Sequence, residues 1–115
     1  MTVYVDDFYK HPRSWYRGMR MSHMIADTDE ELFEMIDKIG VPRKWYQDDH
    51  FDISYAKRQL AVKYGAREVT RYEMAALRWC KRFGYVYRNP SHALQIMRNH
   101  TRRLGVGNET QESRS

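Results

Sequence analysis

The chain has 115 residues, a formal net charge of +5 and one cysteine. That length suits one domain with a core of its own. A single cysteine, Cys80, excludes an intramolecular disulfide and a cysteine-based zinc ribbon, and points to a reducing compartment. No apolar run approaches the roughly 18 residues needed to cross a bilayer, and the acidic start MTVYVDD lacks the apolar stretch of a signal peptide, so a cytosolic protein is expected.

In chain order, Thr2-Val3-Tyr4-Val5 reads as a short β-branched strand running into Asp6-Asp7. Residues 8–18 read as a loop that interleaves rings and cations. Met19 to Ala26 reads as a second strand ending at Asp27. Thr28-Asp29-Glu30-Glu31 fits a capping box, with three acids placed to suit the helix dipole. Leu32, Met35, Ile36 and Ile39 then fall on one helical face, and Gly40 and Pro42 end the helix. A short strand is expected over Arg43–Gln47 and a polar loop over 48–52. A second helix is expected from Ser54 to Tyr64, with Ala56, Leu60 and Tyr64 inward. Ala66–Val69 is a candidate last strand. Thr70-Arg71-Tyr72-Glu73 is another capping box, opening a helix in which Tyr72, Ala75, Ala76, Trp79, Cys80 and Phe83 share a face. Asn89-Pro90 reads as N-cap and first helical residue of a fourth helix.

This order predicts an α/β fold: a small, mostly parallel sheet of three to four strands flanked by helices, plus a C-terminal helical extension. Residues 1–84 are expected to form the domain, 85–104 the basic extension and 105–115 a disordered tail.

Ligands of parallel sheets gather outside the carboxyl ends of the strands. Asp6, Asp7, Asp27, His50 and Asp52 all follow strands on this reading, and His23 lies within one. His23, Asp27, His50 and Asp52 are types that bind a divalent metal or move protons, and Asp6 and Asp7 extend the candidate metal set. His23, His50 and Asp52 are the candidate catalytic groups. A divalent metal is the cofactor they would admit, although the spacing matches no strong metal motif. Each also has a plain structural explanation: Asp27 as a helix cap, Asp6 and Asp7 as turn residues, His23 as a hydrogen-bond donor.

Two further features bear on partners. Trp15 and Arg17, with Trp45 and Gln47, could stack on bases and hold phosphates. The charge excess is confined to the C-terminal part: residues 66–115 carry 10 basic and 4 acidic side chains, against 10 and 11 in residues 1–65. Arg78, Lys81, Arg82, Arg88, Arg98, Arg102 and Arg103 on the last two helices could follow a phosphate backbone, or simply form a solvated face. Cys80 reads as a packed thiol, and no phosphate-binding glycine motif is present.

The series Val5-Asp6-Asp7, Gly18, Ser22-His23-Met24-Ile25-Ala26-Asp27, Glu30-Glu31-Leu32, Ile39-Gly40-Val41-Pro42-Arg43, His50-Phe51-Asp52, Gly65-Ala66 and Val69-Thr70 resembles domain of unknown function 4031. That family occurs in bacteria, notably actinobacteria, and in tailed phages. The resemblance covers about residues 1–83, with Phe51 where the family usually has Tyr. It implies a shared polar site at His23, Asp27, His50 and Asp52, implies no reaction, and makes a phage origin, and thus the host cytoplasm, an expectation.

The leading expectation is a binding module for a phosphate-bearing nucleotide or nucleic acid. The second is a small metal-dependent nuclease or phosphoesterase. The third is an interaction protein that meets a host protein or DNA through the basic helices; a homo-oligomer is a separate possibility. No membrane partner is expected.

Overall fold

In a computed structural model, residues 2–103 are described, without the side chain of Arg103. The expected tail at 105–115 lies outside them. The chain divides into two compact units between Met74 and Ala75.

The first unit is built on five strands: β1 (Val3–Val5), β2 (Trp15–Tyr16), β3 (Met19–Ala26), β4 (Phe51–Ser54) and β5 (Arg67–Glu68). Helix α1 (Asp29–Ile39) follows β3, and α2 (Tyr55–Lys63) follows β4. The α/β reading stands, but the sheet is mixed. β3 pairs antiparallel with β1, β2 and β4, and only β1 and β5 are parallel. The connection from β1 to β3 holds two 3-10 turns and a tight hairpin instead of the α-helix that a parallel crossover usually carries.

Two local expectations change with it. Arg43–Trp45 is a 3-10 turn and the strand is Phe51–Ser54. Its alternation of buried Phe51 and Ile53 with less buried Asp52 and Ser54 is a period-two signal hidden beside the acids at 48–49. In α2 the buried residues are Arg58 and Ala61, and Leu60 packs against the core as expected, whereas Ala56 and Tyr64 face outward.

Sequence chemistry sets the element ends. The Thr28 hydroxyl accepts from the Glu31 amide (3.2 Å) and donates to the Glu31 carboxylate (2.9 Å). Gly40 closes α1 in the left-handed region (φ 75°), and Lys57 Nζ donates to the Ile39 carbonyl at 2.7 Å. One hydrophobic core joins the alternate residues Val5, Met24, Ala26, Phe51 and Ile53 of the sheet to Leu32, Met35, Ile36 and Ile39 of α1 and Ala61 of α2. The residues between them in the strands, including His23 and Asp52, lie on the other face.

The second unit holds most of α3 (Arg71–Phe83) and all of α4 (Pro90–Arg103). Thr70 and Glu73 cap α3 reciprocally, and the Asn89 side chain accepts from the His92 amide. On α3 the buried residues are Met74, Ala76, Leu77 and Cys80, while Tyr72, Ala75 and Phe83 are exposed. Burial pushes the Cys80 thiol pKa up, in keeping with a packed thiol. No helix among the described residues is long and apolar enough to cross a membrane.

Thr28→Ala removes the α1 cap and is expected to cost about 1 kcal/mol. Urea unfolding should show a lower midpoint at unchanged slope. An unchanged midpoint would mean that the first-turn acids alone hold the helix start.

Candidate functional site

Asp6 lies immediately beyond β1 and is 1 % exposed. Its Oδ1 accepts from the His23 amide (2.9 Å) and the Phe8 amide (3.2 Å), and its Oδ2 meets His23 Nδ1 at 2.7 Å. A carboxylate accepts there, so the proton is assigned to Nδ1 and Nε2 is presented outward. His23 sits on β3 directly across from Asp52 on β4. His23 Nε2 faces Asp52 Oδ1 at 3.7 Å.

The chain between α1 and β4 supplies the rest. Gln47 and His50 form an antiparallel bridge around Asp48 and Asp49, with Asp48 at φ 64°. In this tight turn Asp49 Oδ1 meets His50 Nδ1 at 2.7 Å, which assigns that proton to Nδ1 as well. His50 Nε2 lies 3.5 Å from the same Asp52 Oδ1. Gln47 Nε2 donates to the other oxygen, Oδ2, at 2.9 Å. Each of the three converging groups therefore has one atom anchored and another turned to a common point. The two imidazole rings are 5.6 Å apart, edge to face.

One donor atom each from His23, His50 and Asp52 lies within 4.8 Å of the other two. Ligands at zinc–nitrogen and zinc–oxygen distances of ~2.0–2.2 Å stand roughly 3.3–3.6 Å apart in a tetrahedron, close to the spacings between Asp52 and each imidazole. A neutral imidazole protonated on Nδ1 offers a lone pair from Nε2, and a carboxylate offers only lone pairs. Such atoms facing one point are satisfied by a cation, either a proton or a metal ion. The contact with His50, first, holds the Asp52 carboxyl below its ordinary pKa, against the cost of burial and with help from the Gln47 hydrogen bond and the charge that His23 and His50 carry when protonated.

A cleft of about 780 Å³ adjoins the cluster. Its lining runs from the Trp15–Arg17 hairpin arm to Lys44–Gln47 and includes His23 and Asp52. Its cations are Arg13, Arg17 and Lys44. Tyr46, also in the lining, donates to Asp29 at 3.0 Å, and burial, then that bond, pushes its phenol up to about 12.

The expected residues thus separate. His23, His50 and Asp52 converge, with Asp6 as the orienting partner of His23. Trp15, Arg17, Trp45 and Gln47 line the adjoining cleft. Asp27 and Asp7 do not join the cluster. Because β3 runs antiparallel to β1, its carboxyl end lies at the opposite edge, and Asp27 is four residues, ~13 Å, along the strand from His23. There Asp27 accepts from the Thr2 amide (3.0 Å) and the Tyr4 hydroxyl (2.9 Å). Burial, then this bond, pushes the Tyr4 phenol up to about 12. Asp7 accepts from the Arg71 amide (2.8 Å) at the start of α3. Arg82, Arg88, Arg98 and Arg102 are exposed, and Arg78 and Lys81 are half-buried. None of these lines the cleft. Arg103 lies on α4, and its side chain is outside the described residues.

Two residues escape a sequence reading. Asp49 orients His50, and only its adjacency to a histidine hints at it. Arg58, 2 % exposed, donates to the Asp6 carbonyl (2.7 Å) and to Glu68 (3.0 Å), with its guanidinium 4.7 Å from the Tyr9 ring centre. Nothing in a polar helix marks one arginine as buried.

A family model described as protein of unknown function (DUF4031) matches residues 3–80. No curated protein and no solved structure matches the chain.

The Asp52 shift carries a pH signature. Its folded pKa lies below the unfolded value, so its stabilisation is present above the unfolded carboxyl pKa of ~3.9 and fades as pH falls through the folded value. The stability gap between the protein and Asp52→Asn should be present near neutrality and close in acid. A gap independent of pH would contradict the assignment.

Proposed function

The chain belongs to the DUF4031 family, and we propose that it is a metal-dependent hydrolase of phosphate esters, with His23, His50 and Asp52 as the metal ligands. One observation carries this reading: two imidazoles, each with Nδ1 on a carboxylate, turn Nε2 to one oxygen of a third carboxylate. Carboxylate partners that fix the tautomer and raise ligand basicity are the usual support of a metal-bound histidine. Two histidines and one carboxylate leave coordination positions for water and substrate. A nitrogen and oxygen set without thiolate suits Zn²⁺, Mn²⁺ or Fe²⁺ better than a soft ion.

Phosphate as the reacting group follows from the cleft, whose lining holds three cations, Arg13, Arg17 and Lys44, against the single carboxylate of Asp52. A metal held by these three residues would supply a bound water of lowered pKa, ~7 in the case of zinc. The water oxygen bonds to phosphorus as the bond from phosphorus to the leaving oxygen breaks. One water proton ends on the leaving oxygen and the other stays with the new phosphate until solvent takes it. Asp6, Asp49 and Gln47 hold the ligands in place, and the cleft cations offset charge on the phosphoryl oxygens. Capture of a nucleotide without chemistry would use the same cleft and differs in giving no turnover.

Zn²⁺ or Mn²⁺ should raise the melting temperature by several degrees, since an ion at 100 times its Kd stabilises by ~2.7 kcal/mol. His50→Ala should abolish both the shift and the hydrolysis of bis-(p-nitrophenyl) phosphate. Asp49→Asn should weaken metal binding by roughly 10- to 100-fold. No thermal shift with any divalent ion and no product from the diester would remove the proposal.

A further inference from the structure

The cleft beside the cluster is walled by rings that a closed pocket would hide. Trp15, Tyr16 and Trp45 line it and are 57 %, 54 % and 54 % exposed. Exposed tryptophans lose water contact by stacking on a planar partner, and bases offer one at every residue of an unpaired strand.

Cations are already laid against these rings. The Arg20 guanidinium is 4.9 Å from the Trp15 ring centre, and that of Arg17 is 5.3 Å from Tyr16. Arg17 and Gly18 are the two loop residues of the β2–β3 hairpin, since Tyr16 pairs with Met19. Both have positive φ, 51° and 79°, as a primed turn requires. That position favours Asn, Asp or Gly, and an arginine there carries a backbone cost. The turn thus sets a cation at the tip of an arm whose next residues are exposed rings.

We propose that this cleft binds single-stranded nucleic acid, with bases stacked on Trp15 and Trp45 and the backbone held by Arg17 and Lys44, so that a phosphodiester reaches the metal cluster through His23 and Asp52. This rests on the hydrolase reading for the reaction and not for the binding. A single strand fits better than a free nucleotide because the stacking rings are spread over two separate segments and remain open to solvent. It fits better than a duplex because paired bases have no exposed face to stack.

The test is fluorescence anisotropy of a labelled thymidine oligonucleotide with the full chain in chelator, where hydrolysis is off. Binding is expected to weaken steeply with salt. Trp15→Ala and Trp45→Ala should each cost roughly 5- to 100-fold in affinity with the circular dichroism spectrum unchanged. Lys44→Ala should lower the salt slope by about one phosphate contact. Equal affinity for a duplex of the same length, competition by thymidine monophosphate at equal concentration, or full binding by the folded tryptophan variants would each overturn it. Binding in chelator with no turnover in any metal leaves this inference standing and removes the hydrolase. Turnover of the small diester with no oligonucleotide binding does the reverse.

Discussion

Asp6 uses every oxygen it has. Its carboxylate accepts from two backbone amides and the His23 imidazole, and its carbonyl accepts from Arg58. A carboxylate 1 % exposed is costly to bury, and it persists because each of its oxygens meets a donor. The same residue ends β1, fixes the path of the following turn and aims one ring of the cluster. Removing it would leave two amides and an imidazole unsatisfied in a place with little access to water, so its structural and functional roles cannot be separated by substitution alone.

The other half of the cluster is local. Gln47, Asp49, His50 and Asp52 come from six consecutive residues, folded into a tight turn and the start of β4. Two of these side chains orient the other two. Such economy depends on the Asp48 backbone at φ 64°, a conformation that Asp tolerates better than most residues. The cluster is thus half long-range, through Asp6 and β3, and half short-range, and the β3–β4 ladder joins the two.

Much of this is legible in the sequence where one residue type has one physical use. Thr28 with Glu31, Thr70 with Glu73, and Asn89 before Pro90 announce helix starts, and each cap is present. The apolar face of α1 is likewise plain from its spacing. The cluster is legible as residue types, and His23, His50 and Asp52 do converge. Its geometry is not. Strand direction follows from long-range pairing, and the antiparallel course of β3 removes Asp27 from the cluster that a parallel sheet would have placed it in. Phe51–Ser54 is too short, and too close to three acids, for its alternation to stand out. The burial of Arg58 depends on partners 10 and 52 residues away and has no local signature.

The β3–β4 ladder sets His23 against Asp52 and, one step on, Met24 against Phe51. Side chains alternate faces, so a slip of one residue would turn Asp52 into the core beneath α1 and set Phe51 or Ile53 across from His23. The buried side of the ladder, which selects the register through hydrophobic packing, therefore also decides whether the cluster exists. Core and site are two readings of one pairing: a chain that folds with the wrong pairing loses the cluster at the same moment, and leaves no half-working form behind.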